Sequence, residues 1–317
     1  MSKRELGRSG IQVPVLTFGG NVFGWTVDQT ASYSLLDALL DHNLNFIDTA
    51  DVYSAWVEGN QGGESETIIG NWLKKTGKRD QIVLATKVGK PMGEGKVGLS
   101  PRYIKDAVEA SLRRLQTDYI DLYQSHDDDA DTPLAETMAA FDALIKEGKV
   151  RAVGASNYSA PRLAEALKVS KENGLARYET LQPLYNLYDR KVYEEALEKV
   201  VTDNSLGVIN FYGLAAGFLT GKYRTQADAS KSLRGESVIA RYLDERGLKV
   251  LRGLDQVAEK HGAQPGQVAL AWQIARPSIT SPIVSATSLQ QLNELAQAAT
   301  LKLDDADIQT LNDASAW

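Results

Sequence analysis

Side chains able to perform acid–base chemistry occur at the ends of three short apolar segments. Asp48 and Tyr53 lie in NFIDTADVYS, Lys87 ends IVLATK, and His126 ends DLYQSH. A lysine cation forms an ion pair with a carboxylate and favours the phenolate of a nearby tyrosine, which lowers the tyrosine pKa. We therefore expect Asp48 to orient Lys87 and Lys87 to lower the pKa of Tyr53. Tyr53 would then donate a proton to a developing alkoxide, and His126 would donate a hydrogen bond to the same oxygen.

The elements that must position these residues alternate along the chain. Short runs rich in β-branched residues predict strands, and longer segments with helix-capping signals lie between them. These runs are apolar throughout, which is typical of strands buried on both faces. The pattern predicts an α/β fold, a single (β/α)8 TIM barrel. The predicted strands are 15–18, 45–48, 82–87, 119–125, 151–155, 179–182, 207–212 and 279–285.

An open, doubly wound sheet is the competing architecture. That fold usually carries a G-x-G-x-x-G phosphate turn after its first strand, whereas this chain has TFGGNVFG there. The barrel prediction covers residues 1–317 and includes an N-terminal β-hairpin at about residues 3–14. It also includes long loops at the C-terminal face, the longest at about residues 213–237. Because catalytic groups of barrels gather at that face, we expect the acid–base residues to share one mouth.

Composition argues against several classes of partner. The 35 Lys and Arg against 41 Asp and Glu give a net charge of −6 without a basic block, which disfavours nucleic acid and anionic membranes. The chain has no cysteine and only three histidines, and the adjacent carboxylates at 127–129 would diverge, so we predict no metal site. The polar start MSKRELGRSG and the lack of a long apolar run predict a cytoplasmic location. The sequence does not predict the oligomeric state.

Several segments occur in the order found in the aldo-keto reductase superfamily. They are FIDTADVY, LATKVG, DLYQSH, VGASNYS, LQPLYNLYDR, FYGLAAGFLTGKY and PIVSATSLQQLNE. Through them nearly the whole chain resembles that superfamily, and especially bacterial members similar to the β subunits of voltage-gated potassium channels. The resemblance implies a nicotinamide dinucleotide on the barrel and interconversion of an aldehyde or ketone with its alcohol. It also implies a catalytic tetrad of Asp48, Tyr53, Lys87 and His126.

The resemblance also implies the residues that bind the cofactor. Ser156, Asn157 and Gln182 would bond the nicotinamide carboxamide, and Tyr212 would stack on the nicotinamide ring. The other implied cofactor-binding residues are Gly20, Gly213, Leu214, Ala216, Lys222, Arg234, Ser285, Thr287, Gln291 and Glu294.

The stretch after the eighth strand departs from many members of that superfamily. Where they carry Lys and Arg near the adenosine 2′-phosphate, this chain offers hydroxyls, an amide and Glu294. Fixed cations provide most of the preference for a phosphate. We therefore expect NADPH to be the cofactor and NADH also to be used, with a preference of about tenfold.

The substrate is expected to be a small carbonyl compound that the sequence does not identify. Phe23, Trp25 and Trp56 lie in loops near the predicted catalytic end and are expected to wall its pocket. Two other functions remain open at this stage. One is a lyase or isomerase in which Lys87 forms a Schiff base, and the other is a cofactor-binding regulatory subunit with weak reductase activity.

Overall fold

The computed structural model describes residues 2–317, in which eight parallel strands form one sheet. Neighbours in the sheet are also neighbours in sequence, and the last strand lies beside the first of the eight. An antiparallel hairpin of β1 (Lys3–Glu5) and β2 (Gln12–Pro14) precedes them. The parallel strands are β3 (Thr17–Gly19), β4 (Phe46–Asp48), β5 (Val83–Val88), β6 (Ile120–Ser125), β7 (Val150–Ser156), β8 (Tyr178–Gln182), β9 (Gly207–Val208) and β10 (Ile283–Val284).

Helices connect the strands and cover the outside of the sheet. Two of them begin as their capping signals predict, because Ser100 accepts a hydrogen bond from the Tyr103 N–H and Ser159 from the Arg162 N–H. Among residues 2–317 no helix is both long and apolar enough to cross a membrane. The helices are α1 (Gln29–Asp41), α2 (Glu64–Thr76), α3 (Pro101–Leu115), α4 (Leu134–Lys146), α5 (Ala160–Glu172), α6 (Glu198–Asn204), α7 (Gly235–Tyr242), α8 (Glu245–His261), α9 (Pro265–Ala275), α10 (Leu289–Ala298) and α11 (Asp305–Ala314).

Hydrogen bonds also join the two ends of the sheet. The Thr280 and Ser281 N–H groups donate to Val208 O at 2.9 and 3.0 Å, and the Ile283 N–H donates to Asn210 O at 2.8 Å. These bonds link β9 to the segment that enters β10, so the barrel prediction is confirmed. The last two strands are shorter than predicted. Beyond Val208, backbone bonds continue from the Ile209 N–H to Leu181 O and from the Phe211 N–H to Pro183 O, and the Asn210 side chain adds bonds to Tyr185 O and the Gln273 side chain.

The hairpin closes the end of the barrel opposite the catalytic residues. Apolar hairpin side chains, among them Leu6 and Val13, join strand residues such as Phe46 and Leu122 in one buried cluster. The Arg4 guanidinium donates to the backbone oxygens of Ile279 and Ile274, both at 2.7 Å. The interior at this end is therefore apolar and closed, which leaves the other end for polar chemistry.

The segment at 213–237 is folded rather than extended. It contains short 3-10 helices at Ala215–Thr220 and Gln226–Lys231 and then enters α7. The Arg224 guanidinium holds it to α8 through two bonds to Asp255, at 2.7 and 2.8 Å. Gly235 allows close packing there, because a Cβ atom at this position would lie 1.8 Å from Ala229 O.

Candidate active site

Lys87 is the centre of the candidate site and is completely buried on β5. Its ammonium donates to Asp48 Oδ2 at 2.6 Å, to Thr49 O at 2.8 Å and to Tyr53 Oη at 2.8 Å. Asp48 ends β4 and the other two acceptors follow it; because β4 pairs with β5 in parallel register, neighbouring strands place them around the Nζ atom. All three N–H donors of the ammonium therefore have partners.

Two glutamines hold the other oxygen of Asp48. Gln124 Nε2 lies 3.1 Å and Gln182 Nε2 lies 2.9 Å from Asp48 Oδ1, and the two amides contact each other at 3.2 Å. Sequence reasoning missed Gln124, although a polar residue two positions before His126 in a buried strand was a usable signal. Gln182 was predicted to bond a nicotinamide carboxamide, but the structure turns its amide nitrogen toward Asp48. The pair fixes the carboxylate so that Oδ2 faces Lys87.

The pKa of Tyr53 differs from the sequence prediction. Burial raises the pKa of this phenol well above its ordinary value, and the Asp48 carboxylate, 3.5 Å from Oη, raises it further. Burial also lowers the pKa of Lys87, although the Asp48 carboxylate opposes that effect. The expected fall of the Tyr53 pKa below its ordinary value is therefore wrong, because the desolvation of a buried phenolate and the charge of Asp48 outweigh the stabilisation that the Lys87 ammonium gives the phenolate. The phenol retains its proton at neutral pH.

His126 is buried beside Tyr53, with the two ring centroids 6.0 Å apart. Its backbone N–H donates to Val88 O at 2.8 Å, which fixes the start of the loop after β6. Burial lowers the pKa of His126 well below its ordinary value, and the positive charges of Lys87 and Lys90 lower it further. A neutral imidazole keeps one N–H donor, which is the group that the predicted role needs. Its Nδ1 atom is buried without a hydrogen-bond partner among residues 2–317.

The sequence that gives this geometry can be compared with the sequences of known proteins. The sequence profile described as "Aldo/keto reductase family" matches residues 15–316. The chain belongs to the aldo/keto reductase family. It is 35% identical over 321 residues to "Uncharacterized oxidoreductase YrpG" of Bacillus subtilis (strain 168), which covers 99% of this chain and 95% of that protein.

Two further relatives have different printed names. The chain is 34% identical over 306 residues to "Probable voltage-gated potassium channel subunit beta" of Arabidopsis thaliana, covering 94% of this chain and 91% of that protein. It is 30% identical over 308 residues to "L-glyceraldehyde 3-phosphate reductase" of Escherichia coli (strain K12), covering 94% and 87%. The resemblance stated from the sequence is confirmed, and the chain is an oxidoreductase of the kind that acts on carbonyl compounds.

In this aldo/keto reductase, Tyr212 presents an aromatic ring beyond β9. Its side chain is 42% exposed and its φ is +58°, a conformation held in part by the bond from Asn186 Nδ2 to Tyr212 O at 3.0 Å. Further residues with positive φ follow at Ala215, Ala216 and Gly217. Backbone N–H groups in such turns can converge on an anion. Gly213 and Leu214 connect the ring to these turns.

The predicted amide and hydroxyl ligands near His126 also have bonds within the chain. Ser156 Oγ donates to Gln182 O at 2.9 Å. Asn157 is exposed, has a φ of +58°, and donates from Nδ2 to His126 O at 2.9 Å and to Asp127 Oδ1 at 2.8 Å. In the structure Asn157 therefore supports the loop that begins at His126, whereas Ser156 is bonded to the end of β8.

Neutral groups cluster where β10 leads into α10. Ser285 Oγ donates to Gly19 O at 2.7 Å, and Ser288 caps the helix through the Gln291 N–H. Gln291 Oε1 accepts from the Thr287 N–H at 2.8 Å. The range 285–298 contains no lysine or arginine, and the predicted ligand Glu294 is exposed on α10. Gly20 belongs to the neighbouring turn, where its carbonyl accepts a bond from Ser65 Oγ at 2.7 Å.

The two predicted cations of the long segment lie in different places. Lys222 lies beside the positive-φ turns, because a Cβ atom on Gly217 would be 3.4 Å from its Nζ atom. The Arg234 guanidinium lies 5.2 Å from the centroid of the Trp25 ring. The long segment therefore reaches across to the loop after β3.

The aromatic side chains expected to wall a pocket divide into two groups. Trp25 is half-buried and Trp56 is 51% exposed; their rings meet edge-on at 5.5 Å, and Trp56 lies 6.1 Å from Tyr53. Phe23 is completely buried and stacks on Phe18 at 5.5 Å, so its assignment to the pocket was wrong. A 3-10 turn at Gly20–Val22 precedes Phe23, whose ring packs in the core.

The three adjacent carboxylates at 127–129 each have a different partner. Asp127 pairs with Lys90 at 2.6 Å, and Asp128 pairs with Arg162 at 2.9 Å. Asp129 accepts a bond from the Leu99 N–H at 2.7 Å. These carboxylates hold loops together around the mouth.

Proposed function

We propose that this protein reduces an aldehyde or ketone to an alcohol with a reduced nicotinamide dinucleotide, and that Tyr53 is the general acid. The observation that carries the proposal is the buried series of contacts from Asp48 through Lys87 to Tyr53, at 2.6 and 2.8 Å, beside neutral His126. Membership of the aldo/keto reductase family supports it.

Each residue of the tetrad has a separate role in the transfer of a proton to the carbonyl oxygen. Because Lys87 donates to Tyr53 Oη, the phenol keeps its own proton, which in the structure makes only a long 3.5 Å contact with Asp48 Oδ2 and would turn toward a carbonyl oxygen in the mouth. The imidazole of His126 would donate a second hydrogen bond to that oxygen. As the proton leaves, the ammonium of Lys87 stabilises the phenolate in surroundings of low dielectric constant, where such an interaction is strong. Asp48, fixed by its glutamine pair, keeps the ammonium in place.

The residues at the mouth fit a nicotinamide dinucleotide, which when bound supplies hydride to the carbonyl carbon. Tyr212 offers an exposed face for the nicotinamide ring, and the positive-φ turns at 215–217, with the Lys222 ammonium beside them, offer a place for the pyrophosphate. The start of α10, with Ser288 as its cap, offers neutral donors and the helix dipole to the adenosine end.

The proposed cofactor is NADPH, with NADH also used. The neutral groups of 285–298 can bond a 2′-phosphate but do not neutralise its charge. Lys222 lies near the turns proposed for the pyrophosphate, and Arg234 lies over Trp25, so neither is a fixed cation on α10. Arg234 would approach the 2′-phosphate only when the long segment folds over the bound cofactor. These positions support the modest preference expected from the sequence.

A panel of aldehydes, ketones and sugars, followed by the absorbance of the reduced nicotinamide, tests the proposal. We expect at least one carbonyl compound to be reduced with either cofactor, and the product alcohol to be oxidised in the reverse direction. A Schiff-base lyase would be trapped covalently by borohydride with its substrate, whereas a reductase would not. The three acceptors around Lys87 Nζ favour an ammonium and disfavour a free amine nucleophile.

A cofactor-binding regulatory subunit is the second candidate, and the 34% identity to "Probable voltage-gated potassium channel subunit beta" favours it. Turnover separates the two functions. A reductase releases oxidised cofactor and completes many cycles, whereas a regulatory subunit would oxidise about one bound equivalent and then stop.

A further inference from the structure

A second cavity lies outside the candidate active site. Its volume is about 590 Å³, and it lies between α3 and the loops that follow β4 and β5. A cavity of this size accommodates a small organic molecule. None of the residues assigned above to catalysis or to the cofactor lines it. Its walls include Gln61 and Met92 from the loops and Tyr103, Ala107 and Ala110 from α3.

Asp51 lines this cavity and has an unsatisfied carboxylate oxygen. The residue is only 2% exposed, and its Oδ1 atom has no hydrogen-bond partner among residues 2–317. The hydroxyl of Tyr123, completely buried, is also without a partner in that part of the chain. Burial and then the charge of Asp51 raise the pKa of Tyr123. Buried polar atoms nearly always have partners, and because Asp51 lines the cavity, its Oδ1 atom indicates a donor that enters from there.

The charges near Asp51 leave it without a counter-ion. Arg114 also lines the cavity, but its Nε atom pairs with Glu66 Oε2 at 2.6 Å, and Glu66 is fully buried. Gly63 permits this arrangement, because its φ is +86° and a Cβ atom there would lie 2.4 Å from Arg114 Cδ. Lys87 does not line the cavity, and its ammonium pairs with Asp48. One negative charge at Asp51 is therefore unbalanced.

Burial accordingly raises the pKa of Asp51 to about 8. The charge of Glu66 raises it as well, whereas the charges of Arg114 and Lys87 lower it. Tyr103 also faces this position, and burial with the charge of Asp51 raises its pKa to about 12. The cavity is thus built around an acid that is mostly protonated at neutral pH and that a cationic partner would ionise.

The rim of the cavity is basic, in contrast to the acid at its base. Lys96 and Arg102 are exposed there. Asp106, also exposed, is the one carboxylate that joins them on the rim. A ligand that enters therefore meets net positive charge at the rim and an acid at the base.

We propose that this cavity binds a small zwitterion, with an ammonium group on Asp51 and a carboxylate toward Lys96 and Arg102. The ammonium supplies the donor that Asp51 Oδ1 lacks. Because the walls belong to the loops after β4 and β5, such a ligand would contact the loops that carry Tyr53 and border the mouth. The site is independent of the proposed carbonyl reduction.

This binding must be linked to a proton. At pH 7 most Asp51 side chains are protonated, so the bound ammonium would displace about one proton per site. The ionised fraction rises from about a tenth at pH 7 to about nine-tenths at pH 9, while an alkyl ammonium stays charged. We therefore expect the dissociation constant to fall by about tenfold between these pH values.

Isothermal titration calorimetry with ε-aminocaproate, caproate and cadaverine tests the proposal. Titrations at pH 7 in buffers of different ionisation enthalpy count the released protons. We expect ε-aminocaproate to bind with proton release, caproate not to bind, and cadaverine to bind at least about threefold more weakly because the rim repels its second ammonium. Nicotinamide fluorescence measured separately reports cofactor binding and keeps this site distinct from the mouth.

Two variants and a matched control complete the test. Asp51→Asn should abolish the proton release and weaken binding by at least about tenfold, and Ala110→Phe should block binding by filling the cavity. Asp118→Asn, which alters an exposed carboxylate between α3 and β6 that does not line the cavity, should bind as the wild type does. If Asp51→Asn does not fold, the loss or retention of ε-aminocaproate binding in Ala110→Phe decides whether the cavity is the binding site.

The proposal is overturned if none of the probes binds at concentrations up to about 10 mM. Caproate or cadaverine binding as tightly as ε-aminocaproate would contradict the assigned orientation and overturn it. So would unchanged binding in a folded Asp51→Asn or Ala110→Phe variant.

Discussion

At the scale of single residues, the buried ammonium of Lys87 holds the candidate site together. It contacts Asp48 on one side and Tyr53 on the other, and no solvent reaches it. The residue types and their places at strand ends predicted this grouping. The sequence could not predict the pKa of Tyr53, since the degree of burial depends on the packing of the whole barrel. It also could not show that Gln124 and Gln182 turn toward Asp48.

Replacement of Lys87 tests the coupling of these groups. Lys87→Met should remove measurable reduction and lower the free energy of unfolding by ~3–5 kcal/mol, because it leaves the Asp48 carboxylate buried without its counter-ion. Chemical denaturation and turnover measure the two effects. Lys90→Met is the matched control, since Lys90 forms a half-exposed pair with Asp127 and should change stability by less than about 1 kcal/mol. An active and fully stable Lys87→Met variant would contradict the assignment.

At the scale of elements, the long segment at 213–237 and the start of α10 decide how the cofactor is recognised. The sequence indicated a long loop after the seventh strand, but not the 3-10 turns inside it or the contact of Arg234 with Trp25. These depend on how the segment packs across the mouth. Phe23 was misassigned for the same reason, because an aromatic residue in a loop pattern carries no information on which way its ring turns.

Cofactor preference is the prediction that belongs to these elements. We expect NADPH to bind about tenfold more tightly than NADH, a difference of about 1.4 kcal/mol. Gln291→Arg should tighten NADPH alone, because it places a cation at the start of α10. Arg234→Ala should weaken NADPH more than NADH, and Lys231→Ala in the same segment is the control. Nicotinamide fluorescence gives the dissociation constants of both cofactors for each variant. A thousandfold preference of the wild type for NADPH, unaffected by Arg234→Ala, would refute this assignment of the cofactor site.

At the scale of the whole molecule, the closed barrel separates an apolar end from a polar one. The alternation of strands and helices predicted the barrel, and the strand ends predicted its mouth. The sequence did not predict that the hairpin is fastened by Arg4 to the backbone at 274 and 279, because a lone arginine near a terminus is usually solvated. The bonds of the Asn210 side chain to Tyr185 O and Gln273 likewise join residues far apart in sequence, which the sequence pattern could not show.

The hairpin prediction concerns stability alone. Arg4→Ala should lower the free energy of unfolding by about 1.5–3 kcal/mol, since it leaves backbone carbonyls near the barrel end without charged donors. Urea denaturation at neutral pH measures the free energy of unfolding of the variant and of the wild type. Arg8→Ala provides the control, because Arg8 bonds only at the exposed surface. Equal stability of the two variants would show that the hairpin does not belong to the cooperative unit.

The central claim is that the Tyr53 phenol donates the proton, and Tyr53→Phe tests it most directly. Phenylalanine keeps the ring beside Trp56 and His126, and Lys87 retains its bonds to Asp48 and Thr49. The measurement is the single-turnover rate of nicotinamide oxidation with a carbonyl compound that the wild type reduces. We predict a loss of about 10²–10⁴-fold, with cofactor dissociation constants within about twofold of the wild type. A variant that binds cofactor and reduces the carbonyl within about threefold of the wild-type rate would contradict the account.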